Sequence, residues 1–167
     1  MIPLTLAPRP KLKRIPFLAE HHDIFLTLIS NREGARDIGK EVLKAKRIWW
    51  HFPFRWSQIN DVDFAGLCKI VEDLSLALLD KKRVFLHCAA GIDRTGLIAL
   101  ATFLSFSLDL FDALKLIEEL RFDTALRIEQ KIVTAQRVAD EVNLFREEHK
   151  GILAEAYCRR FKELYSS

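Results

Sequence analysis

Cysteine is scarce in this chain: three residues in 167, Cys68, Cys88 and Cys158. The number is odd and the spacing fits no zinc ligand pattern, which excludes a disulfide framework and a cysteine-built metal site and points to a reducing, cytoplasmic setting. Long apolar runs are lacking as well. No stretch approaches the roughly 18 apolar residues of a membrane span, and the N-terminus has no signal-peptide h-region, so no transmembrane segment is expected. Basic charge is thin once its location is considered. The net charge is +3, yet Arg9, Lys11, Lys13 and Arg14 all precede the first acid, Glu20; setting these four aside leaves −1 for the rest. A folded body without a basic stripe argues against a nucleic-acid partner. Repeats and low-complexity segments are also absent.

What is present fits one domain, since half the residues are apolar and 29% are charged, an ordinary balance for a globular chain of this size. Four of the five prolines fall in "PLTLAPRPKLKRIP", so residues 1–16 are expected to form an extended basic arm and residues 17–167 a single domain. Within it, "DIFLTLIS", "RIWWHF" and "RVFLH" are short apolar runs with β-branched and aromatic residues, which predict buried strands. "REGARDIGKEVLKAK" and "VDFAGLCKIVEDLSLALLDKK" between them have helical spacing. The alternation predicts an α/β fold, a central mostly parallel sheet flanked by helices. After "RTG" the pattern is helical to about Tyr165 with a break near Gly151, a C-terminal extension whose buried stripe is predicted at Leu126, Ile132, Val133, Val138, Val142 and Phe145. Asp109 is placed to cap a helix.

The chemistry concentrates in "HCAAGIDRTG", His87–Gly96. A lone cysteine at a strand end is by default a small buried hydrophobe, but a chance match to H-C-x-x-G-x-x-R-T-G is on the order of one in a million at ordinary residue frequencies. Nucleophilic attack needs a thiolate, so a reactive Cys88 requires a site that stabilises negative charge. A strand ending at Cys88, a five-residue loop and a helix starting near Thr95 can turn the amides of Ala89, Ala90, Gly91, Ile92, Asp93 and Arg94 onto one tetrahedral anion, with the helix dipole adding its positive end. Arg94 offers a planar charged fork for two phosphoryl oxygens. Gly91 suits a left-handed turn, and Gly96 is expected to let the helix approach the sheet. Thr95 can donate its hydroxyl to the sulfur, and His87 is expected to orient the loop, acid–base work being the alternative. A nucleotide-binding loop is excluded, because Gly91 and Gly96 have its spacing but Leu97 stands where its lysine is required. The cradle carries its own nucleophile, so attack on phosphorus through a phosphocysteine follows.

This motif resembles the H-C-x5-R-[ST]-G loop of the cysteine-dependent protein tyrosine phosphatase superfamily, and the chain's size resembles the dual-specificity branch. The likeness extends from Phe17 to about Val138, including Glu33 after the first strand of the domain. The resemblance implies a phosphomonoester hydrolase needing neither metal nor organic cofactor. Its substrate would be a phosphorylated protein, with a phosphoinositide or small molecule as the alternative. The oligomeric state is not indicated.

The family places an aspartate general acid shortly after an "H-x-P" strand end, but here "HFPFRWSQINDVD" has Arg55 and Trp56 at those positions. General acid catalysis is worth about 10²–10⁴ in rate, so its loss opens a non-enzymatic alternative, a phosphate-recognition module. Asp93 is the leading replacement acid, as in relatives with "x-D-R-T" loops, or a brace for the loop. Asp61 and Asp63 lie on the acid-loop side, and Asp61 is alternatively a helix cap. Arg55 can hold a second phosphate, Phe54 or Trp56 can wall a cleft, and at least one of Trp49 and Trp50 is expected in the core. Gln130 resembles the family's water-orienting glutamine, with Gln136 as alternative. Cys68 and Cys158 read as structural.

Overall fold

Parallel strands covered on both sides read as unbroken apolar runs, and all three expected strands are present in the computed structural model, which describes residues 1–165. The Ile48–His51 strand, however, lies at the sheet edge and is exposed to half-buried where burial was expected. Ser166 and Ser167, the end of the expected domain, lie outside the described residues. The strands are β1 (Leu4–Ala7), β2 (Ile24–Thr27), β3 (Ile48–His51) and β4 (Val84–His87), all parallel, in the order β1-β4-β2-β3. β4 and β2 occupy the middle and every residue in them is buried. Their register pairs Thr27 with His87, so both strands end at the same level where the motif loop begins.

β1 corrects the expectation that residues 1–16 form an extended arm apart from the domain. Leu4 and Leu6 are each only 4% exposed, and they pair with Val84 and Leu86. An unpaired β4 edge would be a row of open hydrogen-bonding groups, and the alternating leucines supply a partner with an apolar face. The prolines punctuate this segment instead of extending it. Pro3 accepts from the Val84 amide at 2.8 Å through its carbonyl. Pro16 stands in the first turn of α1 (Ile15–His21), where a missing N–H costs nothing.

The remaining helices are α2 (Ala35–Lys44), α3 (Asp61–Leu79), α4 (Asp93–Ser105), α5 (Leu110–Leu120), α6 (Phe122–Ala125), α7 (Ile132–Phe145) and α8 (Ala154–Tyr165). α1 and α2 pack together, with α2 against β3, while α3, α4 and α7 form a second group. Every residue of α4 from Thr95 to Ser105 is buried, which suits a helix that is apolar all round. Asp109 caps α5, its carboxylate accepting from the Asp112 amide at 2.9 Å. No helix among the described residues is long and apolar enough to cross a membrane.

The C-terminal stripe is corrected. Val138 and Val142 are buried as expected, but Leu126, Val133 and Phe145 are exposed. Arg127 has a positive φ of 61°, which interrupts the helical register before α7. The buried face is Ile128, Lys131, Ala135, Val138 and Val142. The C-terminal helices are fastened by Arg146, which has no exposed surface. It donates to Glu72 Oε2 of α3 and to the Ser105 carbonyl at the end of α4, each at 2.6 Å, and lies 3.9 Å from the centre of the Tyr157 ring of α8.

Candidate active site

In an open parallel sheet, ligands sit beyond the carboxyl ends of the strands, and a cleft of about 920 Å³ lies there. One wall is Cys88, Ala89, Ala90, Asp93 and Arg94; the other is the 53–58 loop with Asn60 and Asp63. Cys88 follows β4 directly and is 3% exposed, at the floor of this cleft. The Gly91 amide donates to Cys88 Sγ at 3.2 Å. The amides of Ala89, Ala90, Ile92, Asp93 and Arg94 have no protein acceptor among the described residues, as the first N–H groups of a helix require.

The loop's curvature depends on Gly91. Its φ is +71°, and a Cβ there would lie 2.4 Å from the Ala7 carbonyl group and from Arg121 Nη1. The Gly91 carbonyl accepts from Arg121 Nη1 at 2.6 Å and from Thr124 Oγ1 at 2.7 Å. From the other side, the Arg9 amide donates to the Ala89 carbonyl at 3.0 Å, and the Arg9 guanidinium donates to the Glu33 carbonyl at 2.8 Å. The Gly96 expectation is corrected: a Cβ there would meet Ile128 and Thr124, so its closeness serves the turn before α7 and not the sheet.

Arg94 is held by Glu33. Nη2 donates to Glu33 Oε1 at 2.7 Å and Nη1 to Oε2 at 3.1 Å, while Nη1 also donates to the Leu28 carbonyl at 3.2 Å. A guanidinium has five N–H groups, so Nε–H and the second Nη2–H remain, side by side on the edge away from Glu33. The Arg94 contact pulls the Glu33 carboxyl down to about 2, and Glu33 in turn raises Arg94 above its ordinary value.

His87 is fully buried, and desolvation pushes its pKa down to about 4. Its hydrogen bonds define the neutral tautomer. Nδ1 lies 3.3 Å from the Cys88 carbonyl, which can only accept, so Nδ1 carries the proton. Nε2 lies 2.9 Å from Thr27 Oγ1, which itself accepts from Trp49 Nε1 at 3.0 Å. Trp49, Thr27 and His87 therefore form a directed chain that ends on the peptide following the cysteine.

Other expected site residues are placed differently. The Thr95 hydroxyl is buried and makes no hydrogen bond, so the expected donation to the sulfur is absent. Asp61 is exposed in the first turn of α3 and does not line the cleft. Asn60 is the cap there, with its Oδ1 accepting from the Asp63 amide at 2.8 Å. Asp63 reaches the cleft but is committed to the reciprocal half of that box. Gln130 is exposed in a 3-10 turn and is not part of the cleft lining, and Gln136 donates to Asp140; the glutamine at the cleft is Gln58. Phe54, Arg55 and Trp56 all line the cleft, Phe54 largely buried against Phe52. Trp49 and Trp50 are each half-buried against the core.

Solved structures with a similar architecture include phosphatases. Kinase associated phosphatase matches with TM-score 0.67 at 18% identity over 83% of this chain and 85% of its own. A mutant form of Tk-PTP matches with TM-score 0.67 at 20% identity over 82% and 89%. P. aeruginosa TpbA, whose structure in complex with pTyr is also known, matches with TM-score 0.56 at 16% identity over 95% and 85%. The chain has the fold of the cysteine-dependent protein tyrosine phosphatases. No family model matches its sequence, and no curated protein sequence does so either.

Within that phosphatase fold, motif reading missed Lys131, Arg121, Thr124 and Arg9. Lys131 Nζ lies 2.7 Å from Asp93 Oδ1. One signal for it was legible: in "RIEQKIV" a lysine occupies a position three after Ile128 and four before Ala135, on the apolar face of the helical pattern. Arg121, Thr124 and Arg9 bind loop carbonyls from outside the motif, and no local pattern marks them.

Proposed function

We propose that this chain hydrolyses phosphomonoesters through a phosphocysteine on Cys88, and that its preferred substrate is an aryl phosphate such as phosphotyrosine in a protein. The supporting observation is the pairing of Cys88 Sγ, under the Gly91 amide at 3.2 Å, with an Arg94 whose Nε/Nη2 edge Glu33 leaves open. Sulfur attacks phosphorus, the S–P bond forms as the ester P–O bond breaks, and Arg94 with the loop amides holds the equatorial oxygens. Water then cleaves the phosphocysteine.

The leaving-group preference follows from the carboxylates. Asp61 is away from the cleft, Asp63 is committed to its cap, and Asp93 is ion-paired with Lys131. With no unengaged acid to protonate the departing oxygen, a phenoxide leaves more readily than an alkoxide. The loop residues Ala89, Ala90, Gly91 and Ile92 add no positive charge, which favours a singly phosphorylated group over a polyphosphorylated headgroup.

The test is p-nitrophenyl phosphate hydrolysis with rapid mixing. The expected result is a burst of p-nitrophenolate equal to the enzyme concentration, lost in Cys88→Ser, and poor turnover of alkyl phosphates. Phosphotyrosine-peptide binding without a burst or turnover would replace this reading with a phosphate-recognition module, which the engagement of Asp63 and Asp93 favours.

A further inference from the structure

Lys131 has no exposed side-chain surface, and burying an ammonium is costly unless it is paired. Its partners come from three separate segments. Asp93 Oδ1, in the first turn of α4, lies 2.7 Å away; the Arg127 carbonyl accepts from Nζ at 2.8 Å; and the Trp56 ring from the cleft loop lies under Nζ at 4.6 Å. Asp93 Oδ1 is itself sealed from solvent and accepts no hydrogen bond, so the Lys131 contact is a close ion pair without hydrogen-bond alignment, while the Asp93 side chain as a whole is 31% exposed and lines the cleft. The carboxylate oxygen left to the cleft is therefore Oδ2. Lys131 does not line the cleft, so anything it contributes passes through Asp93.

We propose that Lys131 is a positioning residue. It holds the Asp93 carboxylate so that Oδ2 is turned to the cleft, where Asp93 serves the second half of the reaction. This rests on the phosphocysteine reading above. In that step the water oxygen bonds to phosphorus as the P–S bond breaks. The S–P electron pair returns to Cys88 as thiolate, and the water proton passes to the Asp93 carboxylate. A carboxylate held in this orientation is placed for the water that attacks in the second step, whereas an aryl leaving group departs in the first without needing a proton, so the two half-reactions differ in their dependence on Lys131.

With an activated aryl phosphate, kcat/KM reports phosphocysteine formation and kcat its breakdown. Lys131→Met is expected to lower kcat about 10- to 100-fold, a share of the 10²–10⁴ typical of general base catalysis, while kcat/KM stays within about threefold. Lys131→Arg is expected to restore most of kcat, and Lys131→Met in an Asp93→Asn background to cost no further activity. Equal losses in kcat and kcat/KM, or a folded Lys131→Met enzyme with wild-type kcat, overturn the proposal. Should Lys131→Met not fold, Asp93→Asn decides: wild-type kcat there leaves nothing to position and overturns it, whereas a kcat-only loss supports it. A wild-type protein that gives neither a burst nor turnover instead overturns the phosphatase reading, and the role of Lys131 with it.

Discussion

Glu33 grips Arg94 end-on, with both carboxylate oxygens on the guanidinium at 2.7 and 3.1 Å. Because Glu33 is held at about 2, below its ordinary 4.5, the ion pair's contribution to stability is complete above about pH 4.5 and is lost as the pH falls toward 2. Glu33→Gln is expected to flatten stability over that window, measured by urea unfolding at a series of pH values. The same variant frees the Arg94 edge to rotate, so kcat/KM for p-nitrophenyl phosphate is expected to fall about 10-fold or more through lost orientation.

The buried chain from Trp49 to His87 makes a second pH prediction. His87 is pushed down to about 4 from 6.5, so the folded state binds fewer protons than the unfolded chain between those values. Its contribution is full above about pH 6.5 and is lost as the pH drops to 4. Thr27→Val removes the acceptor of the Trp49 N–H and the donor to Nε2. Leaving buried polar groups unpaired costs about 1–3 kcal/mol, to be read from urea midpoints at pH 7.

Gly91→Ala meets both a positive φ and a backbone carbonyl at 2.4 Å. The expected outcome is loss of vanadate binding and of the phosphocysteine burst, with a stability cost of about 1–3 kcal/mol for the strained backbone. Isothermal titration with vanadate checks it. Wild-type affinity in this variant would mean that the loop does not need its left-handed turn.

Arg146→Ala strands the Glu72 carboxylate, whose remaining partners are Lys150 at 2.7 Å and Tyr157 at 3.4 Å. Breaking a buried ion pair from one side costs about 3–5 kcal/mol, so a large drop in the urea midpoint is expected. KM for p-nitrophenyl phosphate should be unaltered in the fraction that remains folded, because Arg146 contacts no residue of the cleft wall.

The sheet's middle was legible because β2 and β4 are buried throughout and therefore apolar throughout; β1 was hidden by four prolines that read as an unstructured arm, although two leucines alternate between them. The motif disclosed Cys88 and Arg94 through spacing, since one loop has to bring them to the same anion. Thr95 was assigned from its place beside the loop and Gln130 from the resemblance, but the Thr95 hydroxyl makes no hydrogen bond and Gln130 does not line the cleft, because side-chain packing decides both. Asp61 yielded its capping position to Asn60 by one residue, a shift that spacing cannot resolve. Lys131 and Arg121 escaped notice because their importance lies in contacts across 38 and 30 residues of chain, to Asp93 and Gly91.

Leu4–Ala7 are the first residues of the fold to leave the ribosome, yet their partners, Val84–His87, emerge 80 positions later (Leu4 to Val84). Until then two leucines wait without cover, and the hairpin-free topology offers no nearer mate, so this long-range contact assembles late because of the chain order. The Arg9 amide that reaches Ala89 follows directly on that strand. Trimming or fusing ahead of β1 therefore acts on the surroundings of the Cys88 sulfur from behind.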